Sequence, residues 1–144
     1  MSGTADIETA LGLVLDPSLA AAGLRVRGFA GPEDYVGLAA ANQRSRDGAG
    51  IEQVVTAEAM ARDYAHLVNC DLDRDLLVVE RHGAIVGYVR VEWRDLEDGT
   101  RGFTAIVMLD PVHGGSGLHA PMLQWAEDRS VAKARAISSR RWSP

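Results

Sequence analysis

The 144 residues are enough for one domain with a single core, and 47% hydrophobic and 24% charged residues are the proportions of a globular protein. No apolar run of about 18 residues occurs, which argues against a membrane-spanning helix, and the lone Cys70 excludes an internal disulfide and speaks against a cysteine-based metal site. The formal net charge of −5 is unevenly placed: residues 1–128 hold ten arginines and all twenty acids, whereas residues 129–144 hold Arg129, Lys133, Arg135, Arg140 and Arg141 and no acid. So acidic a body makes nucleic acid an unlikely partner, because that binding needs a basic face.

The chain opens Met1-Ser2-Gly3-Thr4-Ala5-Asp6, with neither a basic region nor the apolar stretch of a secretory signal, so a reducing cytoplasm is expected. Ile7, Leu11, Leu13, Val14 and Leu15 are apolar, but Pro17 interrupts a helix. Residues 1–23 therefore read as an arm packed on the domain or on a partner. Leu24 to Phe29 alternates and reads as a first strand. Gly31-Pro32-Glu33-Asp34 starts a helix carrying Tyr35, Leu38, Ala39 and Asn42 at helical spacing, with proline and acids suited to its first turn. Arg44 to Gly50 is polar and reads as a loop. Thr56 is placed to cap a second helix with the stripe Met60, Tyr64, Leu67 and Val68.

From Asp75 the period changes to two. Leu76–Glu80 and Ala84–Trp93 are strands joined by Arg81-His82-Gly83. Ile85, Gly87, Val89, Val91 and Trp93 share one face of the second, and Tyr88, Arg90 and Glu92 the other. After an Asp98-Gly99 turn, Arg101–Leu109 forms a third strand of the meander, with Phe103, Ala105, Val107 and Leu109 on one side. A glycine turn, Gly114-Gly115-Ser116-Gly117, leads into a helix from about Leu118 to Ala132, with Leu118, Met122 and Trp125 as core. The basic tail 133–144 reads as solvated or as a contact for an acidic partner.

A strand, a glycine turn and a helix N-terminus together suit an anion. Unpaired N–H groups and the positive end of the helix point at it, and glycines let it approach. A plain strand-to-helix connection is the alternative. A Walker-type nucleotide site is disfavoured, because no Lys-Ser/Thr follows the turn.

The order β-α-α-β-β-β-α, with that turn after the fourth strand, resembles the GNAT superfamily of acyl-CoA-dependent N-acyltransferases. His82-Gly83-Ala84-Ile85-Val86-Gly87-Tyr88 is similar to the family's second hairpin. Leu109-Asp110-Pro111 sits where a V-x-P phrase closes the fourth strand, and Gly114 to His119 falls on the [RQ]-x-x-G-x-[GA] pyrophosphate loop. Met122 to Arg129 matches the helix that follows. The resemblance implies an α/β (α+β) fold over residues 24–132, with a mainly antiparallel central sheet. It implies acetyl-CoA as cosubstrate, held by the main chain of Met108 and Leu109 along the pantetheine arm and by Gly114, Gly115, Ser116, Gly117 and Leu118 at the pyrophosphate, and a primary amine as acceptor. Among the signature positions only Gly117 is retained: Gly114 replaces Arg or Gln, His119 replaces a small residue, and Pro121 removes a donor. The family's fifth strand, further helix and two last strands have no counterpart after Arg129. The fourth strand is thus expected to be a bare edge, covered by a homodimer partner or a complementing chain.

Glu92 is the carboxylate candidate for accepting the amine's proton, against the alternative of a strand residue paired with Arg90 or Arg94. Tyr35, Tyr64 and Tyr88 lie in elements that do not match the family's acid. His113 and His119 are expected to face solvent, with His119 a possible phosphate partner when protonated. Cys70 has no evident histidine partner and reads as an inert thiol. Two functions stay open: acetyl transfer from acetyl-CoA to an amine, or a non-catalytic GNAT-derived domain working through self-association or partner binding.

Overall fold

The computed structural model describes residues 23–113 and 117–142, with side chains described as far as Ala136. The arm read over 1–23 lies, save Gly23, outside the described residues, as do Gly114, Gly115 and Ser116.

Four antiparallel strands follow one another across a single sheet: β1 (Leu24–Gly28), β2 (Leu76–Arg81), β3 (Ala84–Asp95) and β4 (Arg101–Leu109). The expected period-two segments are all strands. The β2–β3 hairpin turns on two residues, His82 and Gly83, with φ of 50° and 84°, a primed turn whose twist matches that of the strands.

Helices cover both faces. On one lie α1 (Tyr35–Gly48), led in by a 3₁₀ turn over Pro32–Asp34, and α2 (Ala57–Tyr64). Leu38, Ala39 and Met60 bury there against Leu76, Val78 and Tyr88. On the other lies α4 (His119–Trp142), whose Met122, Trp125 and Ala126, with Leu118 just before it, pack on Val26, Leu77, Val79, Val89 and Val91. A short helix, α3 (Leu72–Asp75), precedes β2.

Four expectations need correction. The α1 helix does not stop at Arg44 but runs to Gly48, because its polar residues bond among themselves: Arg46 Nε donates to Asn42 Oδ1 at 2.6 Å, and Gln43 Nε2 to Asp47 Oδ1 at 3.0 Å. The α2 helix ends at Tyr64, so Leu67 and Val68 leave its stripe and Val68 is exposed. Its Thr56 cap is present, accepting from the Ala59 N–H at 3.1 Å. In β3 the register shifts opposite Val79 and Glu80. This bulge inserts one residue, so Val86 joins Val89 on the α4 face while Ile85 packs with Tyr88 on the other. Lastly, α4 passes Ala132 without a break. Asp75, wholly buried, accepts from Arg129 Nε at 2.7 Å and from Lys133 Nζ, and so fastens the next turn of the helix to the body. Lys133 therefore serves as a structural cation, and its sequence neighbourhood of basic residues gave no sign of that.

Among the described residues no helix is long and apolar enough to cross a membrane, and no cluster of His, Cys, Asp and Glu is arranged to hold a metal ion.

Candidate functional site

Two features meet at β4. The first is its outer edge. β4 pairs with β3 through Gly87↔Leu109, Tyr88↔Met108 and Arg90↔Ile106, and no described strand pairs with its other side. The Asp110 N–H donates to the Val86 carbonyl at 2.9 Å. Antiparallel alternation then turns Met108 and Ile106 main-chain groups toward β3, and those of Leu109 and Val107 outward. In keeping with this, a Cβ on Gly87 would stand 2.8 Å from the Met108 carbonyl oxygen. Of the two strand residues expected to meet the pantetheine arm through their main chain, Leu109 therefore turns those groups to the edge that no described strand pairs, whereas Met108 turns its own toward β3 and sends its side chain to the α1–α2 face.

Beyond β4 the chain turns through a 3₁₀ segment, Pro111–His113, toward the helix. Asp110 organises the exit: its Oδ1 accepts from the Val112 N–H at 3.1 Å, and its Oδ2 takes Arg44 Nε at 2.5 Å. Gly117 holds φ at 83°, with open space where a side chain would be. A left-handed residue at that point suits glycine and keeps the approach to α4 clear. Leu118 is buried in the core, so only its main chain is available to a ligand. His119 is exposed in the first turn of the helix, as expected, whereas His113, expected in solvent, is buried: the 3₁₀ turn, closed by the His113 N–H on the Asp110 carbonyl at 2.8 Å, folds it inward.

The second feature is a cleft of about 250 Å³ on the α1–α2 face, walled by Ile106 and Met108 of β4, Tyr88 and Arg90 of β3, and Tyr64 of α2. Its roof, residues 53–56, is held by α1. Gln43 Nε2 donates to the Gln53 carbonyl at 2.8 Å and its Oε1 accepts from the Val55 N–H at 2.7 Å, while Arg46 Nη1 donates to Gln53 Oε1 at 2.8 Å. At the floor, Asn42 Nδ2 donates to the Tyr88 hydroxyl at 2.7 Å. Burial pushes the Tyr88 phenol well above its ordinary value, so it stays a neutral hydroxyl.

The structure gathers residues that sequence reasoning set aside. Tyr64 and Tyr88, distant in the chain, share this cleft with Arg90. The period-two face Tyr88, Arg90, Glu92 was a usable signal; what faces it depends on α1 and α2. Glu92 does not line the cleft. It is about a third exposed, with Oε1 3.5 Å from Arg90 Nη1, so the ion-pair alternative is the one the geometry displays. Burial raises the pKa of the Cys70 thiol, which keeps it protonated and inert.

No family model and no curated protein sequence matches the chain. Solved structures do. A GCN5-related N-acetyltransferase from Sphaerobacter thermophilus superposes with a TM-score of 0.66 at 22% identity, over 78% of this chain and 33% of that one. The chain has a GNAT fold. Similar to it as well are yncA from Salmonella typhimurium, solved with its cofactor acetyl-CoA, at a TM-score of 0.58, 21% identity and 78% coverage, and an acetyltransferase of the GNAT family from Streptococcus pneumoniae, at 0.54, 18% and 77%. The chain spans 65% and 69% of those two proteins. A GNAT fold accounts for the sheet order and for the helix that starts beyond β4; which chemistry the fold carries is a matter of the site.

Proposed function

We propose that this chain binds acetyl-CoA and takes part in transferring its acetyl group to a primary amine. One arrangement carries the reading: within a GNAT fold, the outer edge of β4 at Leu109, which no described strand pairs, is followed in the chain by the N-terminus of a long helix, beside a cleft the size of a small amine. The pantetheine arm would run along the Leu109 edge, with Met108 contributing its side chain. The pyrophosphate would take N–H groups of Gly115, Gly117 and Leu118, with Gly114 and Ser116 completing the turn. The amine nitrogen attacks the thioester carbonyl, the carbon–sulfur bond breaks, the nitrogen gives up a proton, and the departing CoA thiolate gains one. Glu92 is the carboxylate we assign to that proton; because it lies outside the cleft lining, the proton would reach it through water. The free thiol of Cys70 fits a reducing cytoplasm.

Calorimetry on the full chain tests this with acetyl-CoA and desulfo-CoA. Saturable binding of both at one site supports the reading, and absence of binding by either overturns it. A second reading is favoured by the outer edge of β4, with which no described strand pairs: a non-catalytic GNAT-derived domain that pairs this edge with a second copy or a complementing chain. A self-associating protein with no affinity for either nucleotide would establish it.

A further inference from the structure

Arg90, beside its ion pair with Glu92 and its contact with the Tyr64 ring, keeps buried donors that no described protein group takes up. The residue is 8% exposed, and its Nε and Nη1 are buried with no hydrogen-bond partner. The cleft's other guanidinium, Arg46, is committed to Asn42 and Gln53. Around Arg90 stand the Tyr64 ring, 5.1 Å from the guanidinium carbon, the Tyr64 hydroxyl, the Cys70 thiol, and Glu92 at 3.5 Å from Nη1. The last separation is too long for a good hydrogen bond. A buried guanidinium left with donors unused is destabilising unless something else accepts from them. The cleft lining holds two arginines and one exposed carboxylate, Asp63, and Glu92 stands beside Arg90 just outside the lining, so an anion there is called for by the unused donors of Arg90 rather than by an excess of positive charge.

The position along the strands matters too. Arg90 lies opposite Ile106, and Tyr88 opposite Met108. Arg90 therefore lies three residues, about 10 Å, along β3 from Gly87, the residue that faces Leu109. The cleft that Arg90 lines also holds Met108, the neighbour of Leu109 in β4.

We propose that Arg90 anchors an acidic group, carboxylate or phosphate, on the amine that accepts the acetyl group, so that the acceptor is a small acidic amine. This rests on the acetyl-transfer reading only for the word acceptor; the anion site itself does not. A guanidinium offers parallel donors to either acid, which a lysine cannot reproduce.

The test compares matched amines with the full-length chain by ligand-observed NMR and calorimetry: 4-aminobutyrate against butylamine, and phosphoethanolamine against ethanolamine. At least tenfold tighter binding of the acidic member is expected in one pair, and which pair responds separates carboxylate from phosphate. Arg90→Met should abolish the preference while leaving thermal stability equal or higher, since a poorly satisfied buried charge is removed. Arg90→Lys should keep the fold and lose at least threefold of the preference, a readout available should the methionine variant not fold. Absence of preference in both pairs with the unaltered chain, or a preference that survives Arg90→Met, overturns the assignment. Acetyl-CoA binding is measured separately. Acidic amines bound by a chain that ignores acetyl-CoA uphold the anion site and sink the transferase reading; acetyl-CoA bound without amine discrimination does the reverse.

Discussion

His119 stands in the first turn of α4, exposed, two residues beyond the left-handed Gly117. A ring in that turn, where the GNAT pattern has a small residue, would crowd a phosphate brought to the helix end, and Pro121 has no N–H to offer there. His119→Gly should therefore tighten acetyl-CoA binding several-fold, as read by calorimetry; unchanged or weaker affinity would clear His119 of obstructing the loop. Asp34 offers a residue-scale test of stability. It is buried, and its two oxygens receive Arg27 Nη1 and Nη2 at 2.9 and 2.8 Å, with the Ala30 N–H at 2.8 Å. Burial by itself would raise the carboxyl, but Arg27 and Ala30 outweigh it and hold the pKa below the ordinary value of 3.8. Because the folded value is depressed, the ionised carboxylate contributes stability above the unfolded pKa, and that contribution is lost as pH falls through the folded one. Asp34→Asn should cost roughly 2–4 kcal/mol at neutral pH. The gap to the unaltered chain should begin to narrow as pH falls below the unfolded value of about 4 and close only as it passes through the lower folded value; urea titrations at pH 7 and at a series of acid pH values check both halves.

At the scale of elements, the β3–β4 pair determines what the site can be. Gly87 permits it: a Cβ there would meet the Met108 carbonyl at 2.8 Å and the Leu109 side chain at 3.0 Å. Gly87→Ala must push β4 away and should cost roughly 1–3 kcal/mol. It should also weaken acetyl-CoA binding, because it moves Leu109; a variant with reduced stability and unaltered affinity would separate the edge from the cofactor. The strands themselves were legible because Leu76–Glu80, Ala84–Trp93 and Arg101–Leu109 alternate between short turns, and one sheet face is buried under each set. What escaped reading depends on partners far away in sequence. The bulge at Ile85 and Val86 follows from pairing with Val79 and Glu80. The last turns of α1 are held by Arg46 and Gln43, whose polar side chains read locally as loop. The continuation of α4 past Ala132 rests on a buried aspartate 58 residues away from Lys133. The cleft was hidden for the same reason: Tyr64, Tyr88 and Arg90 become a site only once α2 folds over β3.

At the scale of the molecule, helices cover both faces of the sheet, and no described strand pairs with the outer side of β4. The outer edge of β4 carries Phe103, Ala105, Val107 and Leu109 main-chain groups without a described partner. Such an edge, in a strand reading Phe103-Thr104-Ala105-Ile106-Val107-Met108-Leu109, is a template for further pairing. The acetyl-transfer reading lays a pantetheine arm along its end, which satisfies only the last residues. The remainder needs protein, and two-fold closure through a second copy is the simplest supply; a complementing chain is the other. Sedimentation at micromolar concentration should therefore find a dimer. Hydrogen exchange adds a residue-level check, because the alternation of β4 separates its amides. The Ile106 and Met108 N–H groups face β3 and should be protected in any folded form. The Val107 and Leu109 groups face outward and should be protected only when the edge is covered. A folded monomer in which Val107 and Leu109 exchange freely while Ile106 and Met108 do not would refute assembly through this edge. A monomer with all four protected would transfer the cover to the chain's own residues, 1–23 or 130–144.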